Sequence, residues 1–284
     1  MKLRCVVTVL VLSGAIALAR PAAAQQRPLV TQDPESIGAG RVLIEGGVDY
    51  EHDAFYPLSG LKGNLWKVPT IGLSVGISSI AEVQITGGPF DTLAITERRP
   101  GPLADAVTAT GGTTHAVDDL VVAMKIRLAG ETASRPAFGI RFATRLPNAK
   151  HESGMGQDTT DFYMSILGAK TVQSLRVVGN IGLGIMSEPL TASKQNDVLT
   201  YGLSFARAMT QQAEVVGELN GRISTRNGTP PVGTESSGIL KLGGRYTRGS
   251  VRLDAGVYFG LTSVAPTIGF TTGFTYVFNA FSLP

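Results

Sequence analysis

Charged residues recur at even spacing through this sequence, inside stretches that are otherwise apolar or small. Glu45 and Asp49 form one such set, Lys125 and Arg127 a second, and Arg141 and Arg145 a third. Glu214, Glu218 and Arg222 follow, then Lys241 and Arg245, then Arg252 and Asp254, with Arg176 standing alone. Successive side chains of a β-strand point to opposite faces, so even spacing collects each set on one face. Two chemistries fit. A charge-lined pathway would select solutes by sign, with Arg, Lys and Glu facing water. An internal salt-bridge network would hold a narrow barrel together. The two readings overlap, and both stand on the sequence alone. Inward Gly139, Gly182, Gly184, Gly202, Gly256, Gly269 and Gly273 leave space, which favours a pathway over a solid core.

Other candidate chemistry is thinner. His52, His115 and His151 have no ligand spacing for a metal, and the expectation is no metal site and no cofactor. His151-Glu152-Ser153 invites a hydrolase reading. A nucleophile needs a base fixed beside it, and a Gly-rich loop fixes nothing, so the chain is not expected to be an enzyme.

The elements that must position the charges are strands. In the last stretch Ile268, Phe270, Thr272, Phe274, Tyr276 and Phe278 alternate with Gly269, Thr271, Gly273 and Thr275. One face is aromatic and the other is small, which fits a wall strand ending at a membrane–water interface. Arg41–Glu51 alternates likewise, with Val42, Ile44, Val48 and Tyr50 outward. Pro69 weakens the second strand locally. Further strands follow near 81–86, 118–128, 137–146, 161–170, 175–185, 197–209, 213–223, 239–246 and 251–261. The faces of 161–170 stay unassigned. Gly87–Ala116 is expected to be a long polar loop. The total is about twelve, an even number, with short turns alternating with longer loops, as outer-membrane barrels require. A soluble barrel fails on the faces: charge lies opposite the apolar series, which leaves the apolar residues outside.

Composition agrees. The chain carries 35 Gly and only 17% charged residues, where soluble domains carry about 25%. Lys2 and Arg4, the apolar run Val6–Leu18 and Ala22-Ala23-Ala24 read as a signal peptide cleaved after Ala24. Removing Lys2, Arg4 and Arg20 from the 25 basic residues leaves 22 against 22 acidic ones, so no nucleic-acid footprint is expected. The one cysteine, Cys5, is lost with that peptide. The resulting organisation is 1–24 signal peptide, 25–40 periplasmic lead-in and 41–281 barrel.

The chain resembles the outer-membrane family named for the MetA pathway of phenol degradation. The residues that carry the resemblance are Thr31-Gln-Asp-Pro-Glu-Ser36 before Gly40-Arg-Val-Leu-Ile-Glu45, then Gly72-Leu-Ser-Val-Gly76. Lys125-Ile-Arg127, Arg145-Leu-Pro147, Gly182-Leu-Gly184 and Gly273-Phe-Thr-Tyr-Val-Phe278 continue it. The resemblance implies uptake of hydrophobic or aromatic compounds and supplies no catalytic residues. The expectation is therefore an all-β, antiparallel transmembrane β-barrel of about twelve strands in the cell outer membrane. It would act as a monomeric passive channel for small solutes. Pore-lining candidates are Lys125, Arg127, Arg141, Arg145, Arg176, Glu214, Glu218, Arg222, Arg245, Arg252 and Asp254. Lys125, Arg127, Arg141 and Arg145 would form one basic sector. Outer-membrane lipid, a small-molecule solute and the barrel-assembly machinery, through the C-terminal strand, are the expected partners. A structural or surface-interaction barrel without a pathway is the competing class, and an outer-membrane lipid hydrolase a third.

Overall fold

Period-two alternation turns into wall strands with distinct faces in the computed structural model, which describes residues 27–191 and 193–282. The strands are β1 (Arg41–Tyr56), β2 (Leu61–Gly76), β3 (Ala81–Gly87), β4 (Asp91–Arg98), β5 (Thr113–Ala116), β6 (Val121–Ala129) and β7 (Ala137–Arg145). They continue as β8 (Asp161–Val172), β9 (Leu175–Ser187), β10 (Gln195–Ala208), β11 (Ala213–Ser224), β12 (Ser237–Arg248), β13 (Val251–Gly260) and β14 (Ile268–Asn279). The expected signal peptide and its cleavage site lie outside the described residues.

Neighbouring strands are antiparallel, and β1 pairs with both β2 and β14, from Arg41↔Asn279 to His52↔Ile268. That double pairing closes the sheet, so all strands except β4 and β5 form a ring of twelve. Closure removes the unpaired sheet edge that lipid cannot satisfy. Outward positions are exposed and apolar: Phe138 and Phe142 on β7, Ile181 and Leu183 on β9, Leu240 and Leu242 on β12. A continuous exposed apolar band of this kind needs a non-aqueous partner. Aromatics mark its two borders. Tyr50, Trp66 and Phe270 cluster with centroids 4.8–5.6 Å apart at one end, and Tyr276 stacks on Phe278 at 5.3 Å near the other. The unassigned strand is now clear. On β8, Phe162, Met164 and Ile166 are exposed, whereas Asp161, Leu167 and Ala169 are buried inside.

Two expectations change. Gly87–Ala116 is not an unstructured loop, because it holds β4 and β5. The upper half of β2 pairs with β4 from Leu61↔Arg98 to Lys67↔Asp91, and β4 pairs with β5. The wall of β3 and β6 thus stops and resumes as a hairpin. The break falls beside Pro69, which has no N–H for the ladder. There the β1–β2 register shifts between Gly47↔Thr70 and Asp49↔Lys67. Val68 N–H donates to the Phe90 carbonyl and Asp118 N–H to that of Gly88, which holds the break together.

The second change concerns the lead-in. Residues 27–40 do not precede the barrel as a separate segment but lie inside it, against the inner wall near the short-turn end. The reason is chemical. The inner wall offers side-chain acceptors and donors for the segment's backbone, and glycines there leave it a track.

Candidate functional site

From its junction with β1, the segment passes the strands in succession around the lumen. Ile37 N–H donates to Glu82 Oε2 on β3 at 2.7 Å, while the Ile37 side chain packs with Leu43 and Val277. Glu35 accepts from Arg127 on β6 at 2.6 Å. Asp33 accepts two bonds from the Arg176 guanidinium on β9, at 2.5 and 2.7 Å. The Asn180 amide pairs with both backbone groups of Gln32, accepting from its N–H at 2.6 Å and donating to its carbonyl at 2.8 Å. Glu218 on β11 takes the successive N–H groups of Val30 and Thr31. Lys241 donates to the Pro28 carbonyl at 2.8 Å, and Arg245 to the Arg27 carbonyl at 2.7 Å. Arg27 ends the circuit, 3.5 Å from Asp254 on β13 and bonded to Thr271 on β14 and Thr70 on β2.

Small wall residues make the track. A Cβ added at Gly139 would stand 3.1 Å from Pro34, one at Gly243 3.2 Å from Pro28, and one at Gly202 2.7 Å from the Thr31 hydroxyl. The inward space read from glycine is real here, and the chain's own N-terminal segment takes it. Arg127, Arg176, Glu218, Arg245 and Asp254, expected to line a pore, touch that segment. Lys125 is buried against Glu82 at 3.0 Å, with both side chains about 1% exposed. Glu214 lies between Arg252 and Arg245, at 3.6 and 3.8 Å. The salt-bridge network is therefore present.

Above the segment lies a cavity of about 770 Å³. Arg27 to Val30 form its floor. Arg141, Arg145, Arg222 and Lys241 line it together with Asp49, Glu51, Lys67, Asp91 and Asp118. The charges do not separate into one basic sector. Arg127 is paired with Glu35, Lys125 with Glu82, and Arg145 with Asp119 and Asp161. Arg141 instead donates to a neutral group, Gln84 Oε1, at 2.8 Å. The same holds for Arg222, which donates to the Glu235 and Gly233 carbonyls. Missed from sequence were Glu82, Gln84, Asn180 and Thr271, all on inward positions that alternation did identify. Their partner was not a neighbour in sequence and left no local signal.

The long-loop end is roofed. Ala54, Leu61, Leu65 and Leu93 form a small core, joined by Val107 and Met155 from the connecting loops. Ser59 Oγ donates to the Gly154 carbonyl at 2.6 Å and Thr114 Oγ1 to that of Ser153 at 2.7 Å. His151, Glu152 and Asp158 bring ligand atoms within 4.8 Å of one another. The Asp158 carboxylate is already engaged by the His151 ring and by Lys150 Nζ at 2.9 Å. Ser153 Oγ donates to the Lys150 carbonyl at 2.7 Å rather than to His151.

No family model matches the chain, and no curated protein does. The MetA-pathway name is thus without support from these comparisons. Solved structures do match in fold. An outer-membrane channel from Pseudomonas putida F1 superposes with a TM-score of 0.63 at 11% identity, covering 87% of this chain and 98% of that one. The NanC porin superposes with a TM-score of 0.52 at 7% identity, covering 85% of this chain and 100% of the other. The fold is accordingly a closed, twelve-stranded antiparallel barrel of the outer-membrane type.

Proposed function

We propose that this chain is an outer-membrane channel for passive uptake of small solutes, with aromatic and hydrophobic compounds as its solute class. The short-turn end would face the periplasm and the long-loop end the outside, the C-terminal strand β14 serving as the signal for barrel assembly. One observation carries the reading: the cavity within the lumen. Its roughly 770 Å³ falls in the ~300–1,000 Å³ range of small-molecule sites. Leu29, Phe55, Tyr56, Met155 and Val264 give it apolar surface, while Arg141, Arg222 and Lys241 offer donors. A ring bearing a carboxylate or phenolate would use both. The pore-lining role of Arg141, Arg145 and Arg222 rests on their facing this cavity.

A second reading is favoured by a different observation. The segment below the cavity and the roof above it fill much of the lumen, as a purely structural barrel without a pathway would. Proteoliposome uptake separates the two. The channel reading expects an aromatic carboxylate to enter faster than a sugar of equal size, with the preference reduced by Arg141→Gln. Equal exclusion of both solutes by a folded barrel would support the structural reading instead.

A further inference from the structure

The lower wall of the barrel is built as a receptor for an extended peptide, and we propose that its occupant, the segment 27–38, is exchangeable. The lumen is open along its length only when that segment has left. The binding half of this proposal stands by itself; its consequence for flow rests on the channel reading above.

Two kinds of contact hold the segment, and both are made by wall side chains. Among the described residues, no backbone–backbone hydrogen bond joins 27–37 to the wall, and the first such bond runs from Gly40 N–H to the Gly76 carbonyl. The segment is held by wall side chains that read its backbone: Glu82, Asn180 and Glu218 take its N–H groups, and Lys241 and Arg245 its carbonyls. Backbone groups exist on any extended peptide, so these contacts do not depend on covalent attachment. Asp33 on Arg176 and Glu35 on Arg127 add a side-chain pattern, two acids spaced by one residue. Water replaces polar contacts on withdrawal, whereas apolar burial would resist it. The buried apolar side chains of the segment are Pro28, Leu29, Pro34 and Ile37, each separated from the next by polar or exposed residues except for the Pro28–Leu29 pair, and Val30 is 54% exposed to the lumen. Withdrawal would also bare Arg127, Arg176, Glu218, Arg245 and Asp254, five of the eleven residues expected from the sequence to line a pore.

The junction with the wall can turn. Gly38 and Gly40 hold φ of 94° and 69°, a region that glycine enters without steric cost. Gly40 is pinned, its N–H on the Gly76 carbonyl and its own carbonyl taking the Ala280 and Phe281 N–H groups, so the turning point is Gly38, between Ile37 and that anchor.

Thr31 and Gly202 supply the test. The Thr31 Cβ stands 3.4 Å from the Cβ position of residue 202, next to the ~3.5–4.5 Å span of a disulfide. With Cys5→Ser removing the one native cysteine, Thr31→Cys with Gly202→Cys should oxidise and lock the segment in place. The refolded full chain is then offered a fluorescent synthetic peptide of residues 25–38. The reduced double variant should capture it at least tenfold better than the oxidised form, and single-channel openings should return with reductant. Failure of the disulfide to form, or capture that does not change with reduction, would overturn the proposal. Reductant-dependent capture in a silent bilayer would retire the channel reading and leave exchange standing. Openings without capture would retain the channel and overturn exchange.

Discussion

Glu218 accepts two consecutive backbone N–H groups from Val30 and Thr31 and also the Asn220 side-chain amide. A hydrogen bond to a charged group contributes about 1.5–3 kcal/mol. Glu218→Gln should therefore raise amide exchange at Val30 and Thr31 about tenfold or more while leaving the barrel folded, which exchange monitored by mass spectrometry would read. Lys125 and Glu82 are a different case. Both are buried, and removing one partner strands the other charge at a cost of about 3–5 kcal/mol. Lys125→Met should destabilise the barrel strongly in urea unfolding. Pairing it with Glu82→Leu should recover most of the loss; a double variant as weak as the single one would mean that the pair matters for more than its charge. Even spacing put Lys125, Arg141 and Glu218 on the inner face correctly, because strand geometry fixes the face. It could not say what each side chain meets, since Glu35 and Arg127 are joined by folding and lie on no common local element.

At the scale of elements, β4 and β5 act as the roof's frame. Leu93 is fully buried among Ala54, Leu61 and Leu65. Deleting such a side chain costs about 2–5 kcal/mol. Here the loss should stay local: Leu93→Ala should speed proteolysis at 150–158 while β1 and β14 remain protected. Protease sensitivity unchanged from wild type would show that the hairpin does not hold the roof. The loop has its own acid-sensitive contact. Asp158 is drawn upward by partial burial, but donation from the His151 N–H and Lys150 outweighs this and holds its carboxyl below the ordinary 3.8. A folded value below the unfolded one means that the contact stabilises the loop above pH 3.8 and is lost as pH falls through the folded value. Amide exchange at His151, corrected for its intrinsic pH dependence, should rise on acidification into that range and should be flat in Asp158→Asn. The wall strands were legible because period two is a strong local signal. The hairpin was not, because Leu93, Ala94 and Ile95 sit among polar and Pro/Gly residues that read as loop. The N-terminal segment was not either, since it has no periodicity and its order comes wholly from the wall.

As a whole, the molecule is a closed wall with an apolar exterior and a polar lumen that its own chain partly fills. Pairing of β1 with β14 over twelve registers makes the barrel a single closed unit. The inner segment sits at the short-turn end and the roof at the other, with the cavity between them. On the proposed channel function, that arrangement predicts a pathway that is mostly closed, with small and intermittent openings. Single-channel recording of the refolded full chain in a planar bilayer, after heat-sensitive gel mobility has verified folding, tests this most directly. Brief, reproducible steps that an aromatic carboxylate reduces from either side are the predicted result. A folded barrel that stays silent throughout, or large steady openings that the aromatic acid leaves untouched, would contradict it.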